Sequence, residues 1–274
     1  ADVGSFQRGA CMKPKKTVYY SDPLKDDFAG TNIKRKNVGH DFVFVHRDFW
    51  WNLLSFLLYY LIAVPIVWFY TKFVMGLKVE NRRALRKLRK TGYFLYGNHT
   101  QLLDPLIPPM VTFPKKAYTV ANPDAVSIKF LKNIVMMLGA LPIPTDFSGM
   151  QRFISAVETR CAGKNCIAIY PEAHVWPFYT GIRPFLSTSF RYPVKLDVPA
   201  VAMVTTYRRR RGLFRFCKRP GVTVTVSEPF YRDPSLSVRA AQDELCRRVY
   251  DFMVQTSAEK ENVEYIRYEQ MPSA

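Results

Sequence analysis

The stretch YFLYGNHTQLLDP, residues 93–105, decides the architecture. Its first four residues, all apolar, read as a short buried strand, and Gly97 and Asn98 end that strand in a turn. His99 and Asp104 follow, five residues apart. On one continuous helix that spacing would set them about 140° apart, on different faces. They meet only if His99 stands in the turn ahead of the helix, at the C-terminal end of the strand, where α/β sheets collect their active-site residues. There the Asp104 carboxylate can hold the Nδ1–H of His99 and leave Nε2 to a substrate hydroxyl, the arrangement of a general base. A His and an Asp at this separation also recur by chance, so a purely structural pair stands beside that reading.

Outward from this stretch, strand and helix patterns alternate. Residues 118–120, 167–170, 200–204 and 222–226 read as strands, and residues 127–137 and 150–161 as helices. Asp233 and Pro234 supply an N-cap and a first-turn proline for a last amphipathic helix with Val238, Ala241, Leu245, Val249 and Phe252 on its apolar face. The expectation is an α/β fold, a central mostly parallel or mixed sheet covered by helices, with an N-terminal membrane-embedded helical segment. After the strand 167–170 comes YPEAHVWP, residues 170–177, which sets Glu172 and His174 at the same sheet edge as His99. A solvated glutamate at a strand exit is the plainer reading. DVPAVAMV, residues 197–204, is a proline-led apolar strand and by itself says core.

The membrane expectation comes from residues 49–70, which carry no charge and as a straight helix would reach roughly 33 Å. Nearly fifty residues precede the segment and no small-residue cleavage site follows it, so it is not a signal peptide. Pro65, Asn52 and Ser55 interrupt it, and both flanks are basic. The positive-inside rule wants asymmetry, so a bent helix or helix pair sunk into one leaflet fits better than one crossing; a buried core helix is the alternative. Residues 1–47 read as a polar basic arm, 48–80 as the membrane-associated helical segment and 81–274 as the α/β domain. Met12, followed by lysines, reads as a natural start, with residues 1–11 as upstream sequence.

Composition narrows the classes. With 48% hydrophobic residues and 40 aromatics among 274 residues, the chain is neither disordered nor collagen-like. Its net charge of +18 draws it to polyanions, either nucleic acid or an anionic membrane. Seven cations and no acid between residues 207 and 219 add to this as a solvated loop or as a contact for anionic headgroups, donor phosphates or an acidic carrier protein. Five cysteines without C-x-x-C or zinc spacing indicate neither a disulfide framework nor a metal, and suit a reducing, cytosol-facing site.

Taken together and in order, these segments resemble the phospholipid/glycerol acyltransferase family. NHTQLLDP, residues 98–105, is similar to its first block, Asn-His-x4-Asp, in which the catalytic pair falls on His99 and Asp104. GALPIPT, residues 139–145, resembles the second block, Gly-x-x-x-Ile-x-Arg, with Thr145 where the family has Arg. YPEAHVWP resembles the third, Phe-Pro-Glu-Gly-Thr-Arg, with Glu172 at the acceptor-binding glutamate and Ala173, His174 and Val175 in place of Gly-Thr-Arg. VPAVAMV resembles the proline-led fourth. The resemblance covers roughly residues 80–230.

It implies a membrane-bound enzyme on the cytosolic face, monotopic or with a single short span, that moves a fatty acyl group from acyl-CoA or acyl carrier protein to a lysophospholipid hydroxyl. The leading acceptor is 1-acylglycerol-3-phosphate, giving phosphatidic acid. Glycerol 3-phosphate, another lysolipid or lipid alcohol, or a non-catalytic membrane adaptor are the alternatives. No metal or cofactor is implied beyond the thioester co-substrate. With both motif arginines missing, either the acceptor phosphate falls to other cations, with Arg152, Arg183, Lys115 and Lys116 as candidates beside Thr145, Glu172 and His174, or the acceptor is not lysophosphatidic acid. A nucleic-acid partner is not expected, since no such motif appears beside the long apolar segment.

Overall fold

The computed structural model describes residues 14–29, 37–39, 41–128 and 131–271. The proposed start at Met12 and the lysines at 34 and 36 lie outside them. Seven strands form the main sheet: β2 (Lys78–Glu80), β3 (Tyr93–Gly97), β4 (Ala117–Ala121), β5 (Ala140–Pro142), β6 (Cys166–Ile169), β7 (Ala200–Arg208) and β8 (Gly221–Val226), in the order β2-β8-β7-β3-β6-β4-β5. From β7 to β5 every pairing is parallel; β8 runs antiparallel to β7 and takes β2 with it. The sheet is therefore mixed, with a parallel centre whose C-terminal ends share one edge.

Strand β3 shows how sequence becomes layer. Tyr93, Phe94, Leu95 and Tyr96 are all buried, as a central strand covered on both faces requires. Phe94 and Tyr96 join the core under helices Phe147–Ala162 and Val238–Glu259, whereas Tyr93 and Leu95 face Met75, Ile107 and Val111. The last helix begins later than the sequence suggests. Ser237 is its N-cap, its side chain accepting from Ala240 N, while Asp233 is engaged with the backbone N–H and hydroxyl of Ser235 in a turn of its own. Its buried stripe is Ala241, Leu245, Val249 and Met253; Val238 is exposed. The helix read over 127–137 is confined to Lys132–Met137, behind a short 3-10 turn at Pro123–Val126.

Phe49–Met75 forms one continuous helix and not a helix pair. Asp48 caps it, accepting from Trp51 N at 2.7 Å, and Gly76 ends it in the left-handed conformation. Pro65 does not break it, because the wider π turns of Leu58–Ala63 precede the proline and relieve the clash its ring makes with the carbonyl four residues back. The helix is long and apolar enough to cross a membrane and is mostly uncovered by protein. It touches the domain at both ends. Near its start Ser55 donates to Met137 O, Tyr60 to Pro114 O, and the Tyr59 hydroxyl accepts from Ala117 N. At its end the guanidiniums of Arg210 and Arg208, on the β7–β8 hairpin, hold Val74 O and Gly76 O.

The arm is not free where it is described. β1 (Thr17–Tyr20) pairs in parallel with β9 (Arg267–Gln270), and Val38, Phe42 and Phe44 are buried in the core.

Candidate active site

At the end of β3 the backbone must leave the sheet tightly. A Cβ on Gly97 would come within 2.9 Å of both the Met203 methyl and the Tyr170 ring, so only glycine fits. Asn98 then continues the ladder with its side chain, donating to Thr205 O at 3.0 Å and accepting from Thr205 N at 2.8 Å. That frees the main chain to turn at His99. The turn wraps around one oxygen: Oδ2 of the buried Asp104 accepts from Thr100 N at 2.7 Å, Gln101 N at 2.8 Å and His99 Nδ1 at 2.9 Å. Two further backbone bonds pin the turn from outside, Trp176 N to His99 O and Phe178 N to Thr100 O.

The imidazole lies against the Tyr170 ring, 4.6 Å away and nearly parallel. Burial pushes the Tyr170 phenol well above its ordinary value, so it stays protonated and donates to Asp104 O at 2.7 Å. With Nδ1 held by Asp104, Nε2 is the nitrogen left to the cavity that His99 lines, about 550 Å³ in volume. The cavity wall is mostly apolar, including Leu102, Val120, Ile143, Phe153 and Phe185, and no lysine or arginine lines it among the described residues. Its size is that of a small-molecule site.

Glu172 is buried, and it does not project into the cavity as an isolated carboxylate. Oε2 accepts from His99 N at 3.0 Å and Arg183 Nη2 at 3.2 Å, and Oε1 from Arg183 N at 3.0 Å. Burial raises its pKa above the usual carboxylate range, against the pull of Arg183. Arg183 is equally buried, bonded to His174 O and Pro23 O with its guanidinium 4.9 Å from the Trp176 ring. This pair fastens the third motif to the turn that carries His99.

The remaining predicted residues are placed elsewhere. Thr145 accepts from Val38 N and donates to Asn37, tying the arm down outside the cavity. Arg152 is on the exposed side of helix Phe147–Ala162, and the His174 ring is 3.6 Å from Asp27 without lining the cavity. Lys115 and Lys116 precede β4, at the opposite edge of the sheet from His99. Lys116 is buried between the Tyr59 and Tyr118 rings and donates to Ser55 and Met137 O. Neither it nor Arg183 is presented to a substrate phosphate. Conversely, sequence reasoning assigned no functional role to Tyr170 or to Leu24 of the arm, both of which line the cavity, and read Asn98 as a turn residue and not as the anchor to β7. Only Asn98 carried a signal, its place next to the histidine.

Residues 76–206, which hold the whole His99 turn and the Glu172–Arg183 pair, match the family model described as Acyltransferase. No curated protein matches the chain. Among solved structures, the 1-acyl-sn-glycerophosphate (LPA) acyltransferase PlsC from Thermotoga maritima is similar at 16% identity over 77% of this chain and 98% of that one, with a TM-score of 0.47.

Proposed function

We propose that this protein transfers a fatty acyl group from a thioester, on coenzyme A or acyl carrier protein, to a lysophospholipid hydroxyl at a membrane surface. The observation that carries the reading is the 2.9 Å contact of His99 Nδ1 with Asp104, in a turn that leaves the imidazole at the wall of an apolar cavity. His99 Nε2 takes the proton of the acceptor hydroxyl as its oxygen attacks the thioester carbonyl. The C–S bond then breaks, and the proton returns to the leaving thiolate. Asp104 fixes the tautomer and stabilises the imidazolium. Glu172 and Arg183 act as positioning residues, through the His99 backbone. The apolar wall suits an acyl chain, each buried methylene contributing ~0.8 kcal/mol.

The acceptor expected from sequence is 1-acylglycerol-3-phosphate. One observation favours a second reading, an acceptor without a phosphomonoester: none of Arg152, Arg183, Lys115 and Lys116 lines the cavity. Labelled acyl-CoA and a panel of acceptors, read by lipid mass spectrometry with wild type and His99→Ala, test both. Preferred acylation of lysophosphatidic acid supports the first, and preferred acylation of a zwitterionic or neutral lysolipid the second. Equal transfer by wild type and His99→Ala would remove the proposed base.

The exposed apolar helix supports attachment to a membrane. Ser55 and Val74, about 28 Å apart along it, both bond the same domain, which favours a helix lying within one leaflet over one that carries its ends to opposite sides. Membrane flotation with protease protection of tags at both ends tests this, and tags protected on opposite sides of the bilayer would overturn it.

A further inference from the structure

The sheet edge opposite His99 carries a second concavity, of about 510 Å³, lined by Arg82, Arg83, Arg86, Arg89 and Lys115 together with Phe113. Among the described residues none of these five cations pairs with a carboxylate; the ion pair nearest in sequence belongs to Lys87, with Glu228. Two of the five are set by the fold. The Arg82 guanidinium donates to Val111 O at 3.0 Å and to Phe113 O, at the C-terminal end of helix Ile107–Thr112, where the carbonyls favour a cation. Lys115 donates to Thr91 O and Lys164 O. Arg83, Arg86 and Arg89 are exposed around them. A cluster of guanidiniums without acids is suited to a phosphate, which arginine binds through paired N–H groups.

The rim identifies the kind of phosphate. Phe113 is half-exposed, its ring 6.4 Å from Tyr60 of the long apolar helix, and Tyr60 donates to Pro114 O beside it. The cationic hollow thus opens next to the apolar helix proposed to lie at the membrane. β3, about 16 Å long, separates it from the His99 turn. We propose that this groove binds the phosphate of an anionic phospholipid headgroup, with the acyl chains running along Phe113 and the helix, as a site distinct from the catalytic cavity. It rests on the reading that the chain works at a lipid surface.

The test is flotation of the full chain with vesicles of phosphatidylcholine alone and of phosphatidylcholine mixed with phosphatidylglycerol. Wild type is expected to bind the mixed vesicles more tightly. The variant Arg83→Gln/Arg86→Gln/Arg89→Gln should lose roughly 100-fold in apparent affinity for them, the sum of three cations near an anionic leaflet. The charge-matched variant Arg191→Gln/Lys195→Gln/Arg239→Gln, on the far face of the sheet, should lose only a few-fold. Equal losses in the two variants, or an undiminished preference in the first, would overturn the groove. Wild type binding both vesicles equally overturns it while leaving membrane attachment standing; wild type binding neither removes the membrane reading and the groove with it. A groove variant that keeps vesicle binding but loses transfer only from acyl carrier protein assigns the groove to a protein donor instead, and overturns the lipid.

Discussion

The two edges of the sheet treat charge in opposite ways. At the edge where β3, β4 and β6 end, Asp104 gathers three N–H groups, and Glu172 holds both Arg183 and the His99 backbone. At the edge where those strands begin, Lys116 is buried with only hydroxyl and carbonyl oxygens, and the arginines of residues 82–89 gather without an acid. The cavity proposed for the chemistry has no lysine or arginine in its wall among the described residues, and the excess positive charge is placed elsewhere. A net charge of +18 therefore says little about the cavity and more about what the outside of the protein meets.

The sharpest way to break this contrast is at the paired edge. If the ring acts as the proposed base and not as a prop, His99→Ala should lower kcat by roughly 10²–10⁴-fold with thermal unfolding little changed. Asp104→Asn should fall in the same range; activity near wild type in either variant would mean that the proton goes elsewhere. Next in size, Arg183→Gln leaves Glu172 as a buried carboxylate without its cation and should cost about 3–5 kcal/mol in urea unfolding. Glu172→Gln/Arg183→Gln should be less destabilised than Arg183→Gln alone, and additive losses would mean that the two do not act as a pair.

The sequence carried the parallel centre, the His99 turn and the long apolar helix, because each depends on local periodicity and turn chemistry. It did not carry the fate of the cations. Whether Arg183 faces a ligand or a glutamate eleven residues away depends on how loop 172–183 closes, and Lys116 is buried only because Ser55 and Tyr59 come to it from the helix. Such long-range burial leaves no mark on a charged residue's neighbours in sequence. For the same reason the described part of the arm read only as a polar basic arm: its partners, Trp176 and Tyr268, lie more than 140 residues downstream.

Lys116 offers a smaller test at the unpaired edge. Burial, with Arg160 nearby, lowers its pKa to about 7, whereas the unfolded chain holds a lysine proton to roughly pH 10. Between those values the unfolded state binds more protons, so wild-type stability should rise with pH across that window, by up to a few kcal/mol, and flatten above it. Lys116→Met should be more stable than wild type at pH 6 and lose that advantage by pH 10; parallel stability curves would show that the amine is not desolvated. Smallest is Ala173→Gly. Ala173 has φ 63°, in the left-handed region where glycine is at ease, so the exchange should stabilise by about 1 kcal/mol, visible as a rise in melting temperature.

The parallel pairing of β1 with β9 has a practical consequence for anyone trimming the gene. The stretch matched by the family, residues 76–206, stops before β8, which closes the sheet between β7 and β2, and before helix Val238–Glu259, which roofs one face. It also omits the zipped ends that clasp Trp176, whose backbone N–H grips His99 O, and Leu24 at the cavity wall. A minimal fragment cut to the motif boundaries would keep every signature residue and lack the scaffold that holds them in register.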